Sequence, residues 1–304
     1  MPLIRYVATG AFAPKQLMFT VFGPYKSGKS RFALSAPPPL FIANLDHDVD
    51  YLLNEVCKDA EIYLDNIWPS GTKVTEAEVN HLVSRVDTVA AAALQRKEGT
   101  LIIDGGSRLY NYLQIKYLGA SFATGKQPSS DSSQFDWSLI YQHLTQLLQP
   151  FQQTDCNVIF TLEAKEKYES VASASSGKMT GRATGELVPR GPKPIGYTMH
   201  LQLQTFVRTV RDTVVGGKDA PKVCNICGQP IGRGQHTEYW CRFDWSAYRD
   251  AILRGRDICN PTFDKIRALL CLQGPAQAEA EKVLAQIEAV PVVDLSKLEG
   301  EKDD

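Results

Sequence analysis

Gly23-Pro24-Tyr25-Lys26-Ser27-Gly28-Lys29-Ser30 fits G-x-x-x-x-G-K-[ST], the phosphate-cradling P-loop. Upstream, Leu17-Met18-Phe19-Thr20-Val21-Phe22 is apolar and strand-like. Downstream, Arg31-Phe32-Ala33-Leu34-Ser35 reads as a helix stopped by Pro37-Pro38-Pro39. A strand, a glycine turn and a helix N-terminus gather backbone N–H groups around one anion, and the helix dipole adds to the attraction. Residues 23–31, through Arg31, are the expected nucleotide-binding set. Lys29 reaches the β- and γ-phosphates, and the Ser30 hydroxyl ligates Mg2+. This stretch binds a nucleoside triphosphate.

Working outward, Leu40-Phe41-Ile42-Ala43-Asn44-Leu45 is a second buried strand that runs into Asp46-His47-Asp48. An acid at the C-terminal end of a parallel strand stands on the edge where α/β proteins hold ligands. Asp46 is thus either the group that orients or deprotonates the attacking water or a loop-capping aspartate. Thr100-Leu101-Ile102-Ile103-Asp104 is the second strong signal, about 75 residues beyond Lys29. It has the Walker B pattern, whose carboxylate supports Mg2+. Gly105-Gly106-Ser107 follows where some motors carry a Glu, which adds weight to Asp46.

Between these strands, Thr75 and Glu78 have capping-box spacing ahead of a helix with Val79, Leu82, Val83, Val86, Ala90 and Ala93 at helical intervals. Residues 119–133 read as a loop, and a helix follows from Asp136 to Phe151. Asn157-Val158-Ile159-Phe160-Thr161-Leu162 is a fourth strand. Glu163 at its end either senses the γ-phosphate or pairs with Lys165 or Lys167. Residues 169–196 are Ser-, Gly- and Pro-rich without periodicity and carry Lys178, Arg182, Arg190 and Lys193. They read as a basic loop that contacts a phosphate backbone or a neighbouring subunit's nucleotide, or as a solvated linker. Residues 198–210 alternate enough for one or two further strands.

After Gly216-Gly217 come Cys224-Asn225-Ile226-Cys227, His236 and Cys241. Four such groups make a closed, structural zinc site. Free thiols, or Cys259 in place of His236, are the alternatives. Arg233, Tyr239, Trp240 and Arg242 in the same stretch either stack on single-stranded bases or form a small core. Residues 246–272 and 275–289 look helical, and the tail from Asp294 to Asp304 is acidic. The expected domains are 1–215, the ATPase core; 216–245, the Cys/His module; and 246–304, a helical segment with an acidic tail.

The 304 residues suffice for one large α/β domain and an appendage, and a net charge of −1 excludes a globally basic nucleic-acid binder. No apolar run reaches the ~20 residues of a membrane span. Seven cysteines without a secretory leader indicate reduced thiols and a cytoplasmic setting.

In their order, Lys29-Ser30, Phe41 to Asp50, Leu101 to Gly105 and Val158 to Glu163 resemble the RecA-type ATPase core, and most of all the small RecA-like ATPases of bacteriophages. The likeness covers roughly residues 15–212. It implies a RecA-like αβα fold, ATP and Mg2+ as cofactors, and self-association into a ring or filament. It also implies action on single-stranded DNA in recombination, annealing or replication, in the host cytoplasm. Asp46-His47 stands where that family has Glu-His, and Glu163 where it has Gln or His. The basic loop falls at the family's DNA-binding loop. The Cys segment lies outside the likeness; it and the acidic tail are candidate contacts for a replication or recombination protein. A translocating motor, and an adaptor with slow or no hydrolysis, are the alternatives.

Overall fold

The computed structural model describes residues 16–46, 49–57, 59–71, 74–119, 134–172, 179–191, 198–211, 235–247 and 253–270. Within them the chain forms a mixed α/β fold around a parallel-dominated sheet. The strands are β1 (Met18–Gly23), β2 (Leu40–Asn44), β3 (Ile62–Asn66), β4 (Thr100–Asp104), β5 (Asn157–Ala172), β6 (Met179–Pro189), β7 (Leu201–Arg211), β8 (Gln235–Ser246) and β9 (Asp257–Cys259). They lie in the order β3-β2-β4-β5-β1-β7-β8-β9, with β6 paired to β5. The six from β3 to β7 are parallel neighbours; β8 and β9 are antiparallel additions.

Helices cover both faces. α1 (Lys29–Leu34), α2 (Asp50–Val56) and α6 (Phe263–Leu270) pack on one; α3 (Glu76–Arg96), α4 (Gly106–Leu118) and α5 (Gln134–Leu148) pack on the other. β1, β2 and β4 are buried at every position, which explains their continuous apolar runs, since a doubly covered parallel sheet has no polar face. Met18 and Phe22 join the α3–α5 core while Phe19 and Val21 join the α1–α6 core, the alternation a strand requires. Thr75 caps α3 as its spacing predicts, accepting from the Glu78 N–H at 3.2 Å. The Glu78 carboxylate accepts from the Ser70 N–H and hydroxyl at 2.6 and 2.7 Å and also interacts with the Thr75 backbone.

Three expectations are corrected. The described part of residues 169–196, residues 169–172 and 179–191, is not a featureless loop. β5 is 16 residues long in all; beyond Glu163, its last partner on β1, it pairs antiparallel with β6 from Ala164↔Pro189 to Ala172↔Met179, so an arm projects from the edge of the site. β8 is not part of a separate 216–245 module; it pairs with β7 from Leu201↔Ser246 to Arg211↔Gln235 and completes the main sheet. Residues 246–272 are not uniformly helical, because β9 precedes α6. The expected loop at 120–133 and the tail from 271 onward lie outside the described residues.

Candidate functional site

The parallel strands deliver the chemistry to one edge. Register places Gly23 at the end of β1 beside Glu163 of β5, and Asn44 of β2 beside Asp104 of β4. The P-loop then turns from β1 into α1. Gly28 has φ 91°, and a Cβ there would lie 2.9 Å from the Tyr239 ring; only glycine fits both constraints. At Gly23 a Cβ would lie 2.4 Å from the Thr205 carbonyl oxygen. The loop is anchored to β7 by Ser27 Oγ, 2.7 Å from Thr205 Oγ1. Lys29 Nζ folds back to donate to the Pro24 and Gly23 carbonyls at 2.8 and 3.2 Å.

Asp104 is buried and accepts from Ser30 Oγ and from Thr161 Oγ1, the latter at 2.7 Å. Burial pushes its carboxyl up to about 6, with the Asp46 charge adding to the rise; Thr161, Ser30 and Lys29 pull the other way. A hydroxyl and a carboxylate side by side are hard oxygen donors, the set Mg2+ takes. Ser30 and Asp104 would hold the ion, which supplies charge neutralisation at the phosphates.

A cavity of about 400 Å3 opens over the P-loop. Its wall contains every residue from Gly23 to Arg31, together with Asp46 and Glu163. All the expected nucleotide-site side chains are thus gathered in one place, with Asp104 buried behind Ser30. The Asp46 carboxylate packs on Gly105 and pairs with Arg108 at 3.4 Å. Glu163 pairs with Arg190 of the arm at 3.0 Å, not with Lys165 or Lys167; Lys167 is taken by Glu186 at 2.8 Å.

Several members of the site were not expected. Arg108, Tyr51 and Tyr239 also line the cavity. Ser107 ties its far side to the arm: its hydroxyl accepts from the Glu163 N–H at 2.9 Å and donates to the Arg190 carbonyl at 2.6 Å. The available signal for Arg108 was its place one turn beyond Asp104. Nothing local marks Tyr239, which arrives from a distant strand.

The basic residues disperse. Arg182 is exposed on β6 across from Glu169, Arg190 sits at the arm's base, and Lys178 and Lys193 lie outside the described residues. Tyr239 and Trp240 are not an aromatic surface for bases. Tyr239 lines the nucleotide cavity, and Trp240 is buried, donating to Glu238 at 2.8 Å beneath the Arg208 guanidinium.

The four-ligand zinc set is also corrected. His236 and Cys241 lie five positions apart on a regular stretch of β8, so they face opposite sides of the sheet, roughly 17 Å apart along it. Cys241 is in the α1–α6 core, where burial pushes its thiol up, and His236 lies 3.4 Å from Glu238 on the other face. Cys259, across from Trp240, also faces away from Cys241. Cys224 and Cys227 lie outside the described residues. Among the described residues no group of three or more His, Cys, Asp or Glu is placed to hold a metal, and no helix is long and apolar enough to cross a membrane.

Against known proteins, no curated sequence matches. Two solved structures share part of the shape. One is an ATPase of the type III secretion system of pathogenic bacteria, 12% identical with a TM-score of 0.40 over 62% of this chain and 51% of that one; the chain spans about half its length. The other is a KaiC-like protein of the hyperthermophilic archaeon Pyrococcus horikoshii OT3, 11% identical with a TM-score of 0.35 over 75% of this chain and 77% of that one. The decisive match is to a family described as AAA domain, over residues 15–189. That span runs from the lead-in of β1 to the end of β6 and takes in the P-loop, Asp46, Asp104 and Glu163. With more than half its length matched and the site assembled, the chain belongs to the AAA domain family of P-loop ATPases.

Proposed function

We propose that the protein is a Mg2+-dependent ATPase that self-associates into a ring or filament and couples turnover to single-stranded DNA through the β5–β6 arm. The observation that carries the coupling is one strand. β5 holds Glu163 beside Gly23 of the P-loop and then continues without a break into the arm. Lys29 and Ser30 hold the phosphates and the ion, Asp104 supports the ion, and Asp46 orients the water. Glu163 reads the γ-phosphate and passes its state along β5. Phosphoryl transfer needs mainly positioning and charge stabilisation, which these groups supply. The DNA assignment is supported by the resemblance to phage recombination ATPases and by the exposed Arg182 on the arm.

A second reading is favoured by the arm's charge balance. Its described part carries four acids, Glu163, Glu166, Glu169 and Glu186, and four bases, Lys165, Lys167, Arg182 and Arg190. A neutral arm with two internal ion pairs suits a protein surface, as in a nucleotide-regulated adaptor. Steady-state ATP hydrolysis with and without single-stranded DNA, at two salt concentrations, tests the choice. Salt-sensitive stimulation supports the DNA-coupled ATPase; turnover indifferent to DNA moves the assignment to the adaptor.

A further inference from the structure

The geometry points to Arg108 as a catalytic residue: in the nucleotide-bound state its guanidinium leaves Asp46 and binds the γ-phosphate of the same subunit. The inference rests on the ATPase reading and adds a group to its chemistry.

The placement comes first. α4 starts two residues after Asp104, and the Arg108 N–H closes its first turn on the Gly105 carbonyl at 2.8 Å. That position sends the side chain into the cavity shared by Lys29, Ser30, Asp46 and Glu163. The pair with Asp46 is loose. At 3.4 Å, with the Arg108 and Asp46 side chains 39% and 24% exposed, it is longer than a charge-assisted hydrogen bond. A pair this wet is weak, so a phosphate of higher charge displaces the carboxylate.

Charge favours the exchange. Asp46, Asp104 and Glu163 bring three carboxylates to a site for a polyanion. Glu163 is answered by Arg190, and Arg31 is engaged by Glu55 at 2.6 Å. Lys26, Lys29 and Arg108 are the other cations of the cavity wall; Lys26 lies over the Tyr25 ring at 5.4 Å, and Arg108 is the guanidinium among the three, paired with Asp46. A planar fork also suits phosphate oxygens better than an ammonium does.

The exchange has two consequences. Arg108 stabilises charge on the equatorial oxygens, and Asp46, no longer paired with Arg108, accepts a hydrogen bond from the attacking water. The water oxygen then bonds to the γ-phosphorus as the bond to the β–γ bridging oxygen breaks. ADP leaves with that oxygen, and the proton passes through Asp46 to solvent.

The test uses the full chain with R108Q, which keeps the side chain's length, and R108K. Three quantities are read: kcat and KM for Mg·ATP, trapping of Mg·ADP with tetrafluoroaluminate, and kcat with added guanidinium at millimolar concentration. The expected result for R108Q is a kcat loss of roughly 10²- to 10³-fold, KM within about threefold, no trapped complex, and partial recovery with guanidinium. R108K keeps a charge beside Asp46 but recovers little, because the fork is gone. Wild-type trapping and kcat in R108Q would overturn the inference and leave the ATPase reading standing. A wild-type chain that neither binds nor hydrolyses ATP would overturn that reading itself.

Discussion

The Ser30 hydroxyl lies 2.9 and 3.1 Å from the two carboxylate oxygens of Asp104. The P-loop and the end of β4 therefore already touch at the point where both would meet a metal ion. Ser30→Ala removes one ligand and one donor to a buried carboxylate. The expected result is a loss of Mg2+ affinity of roughly 10- to 100-fold, read as the Mg2+ dependence of ATP binding, with metal-independent nucleotide binding nearly unchanged.

Asp104 also sets a pH dependence. Its carboxyl is raised from 3.8 to about 6 in the fold, so between those values the folded chain binds a proton that the unfolded chain has lost. The stabilisation from that proton is complete below about 4 and is lost as pH rises through 6. Two units amount to something on the order of 3 kcal/mol. Chemical unfolding of the metal-free chain from pH 4 to 7 should show this decline, and Asp104→Asn should flatten it. An identical slope in the variant would refute the assignment.

Substitutions at Lys29 and Asp46 should separate binding from chemistry. Lys29→Ala should abolish both ATP binding and turnover. Asp46→Asn should keep ATP affinity within about threefold while turnover falls on the order of 10²-fold or more. Calorimetry beside a phosphate-release assay distinguishes them, and full turnover in Asp46→Asn would remove Asp46 from the mechanism.

Gly28→Ala should lose nucleotide binding for two reasons, the φ of 91° and the Tyr239 ring 2.9 Å from the new methyl. The double variant Gly28→Ala/Tyr239→Ala relieves the contact but not the backbone strain of roughly 1–2 kcal/mol. It should remain defective, and recovered affinity would show that the contact alone excludes a side chain there.

Ser107→Ala tests the tie to the arm. It removes the acceptor of the Glu163 N–H and the donor to the Arg190 carbonyl, both in part-buried hydrogen bonds, each worth roughly 1 kcal/mol. Hydrogen exchange in residues 179–190 should rise while the core strands keep their protection.

Residues whose roles are local were legible in the sequence. The P-loop, the ends of β2 and β4, and the capped start of α3 carry their own signals in spacing and hydrophobic run. The arm does not, because Lys165 to Glu169 and Arg182 to Gly185 form a ribbon outside the sheet, with no apolar face to impose a period of two. β8 was obscured because Cys241 and His236 suggested metal chemistry, whereas Cys241 is a core side chain beside Phe243. β3 was missed because Ile62 to Asn66 is only half-buried at the sheet's edge. Arg108 and Tyr239 gain meaning only when distant elements close around the P-loop.

β5 is one strand that lies beside Gly23 of the P-loop at Glu163 and then runs on to Ala172, paired with β6. From Glu163 to Ala172 it extends nine residues, roughly 30 Å at strand rise. A tilt of about 5° at the foot would sweep the far end through roughly 2.5 Å over that length. If Glu163 reads the γ-phosphate as proposed, β5 would act as a lever with its fulcrum at the P-loop, turning a sub-ångström event at a phosphate into a displacement large enough to make or break a contact at the arm.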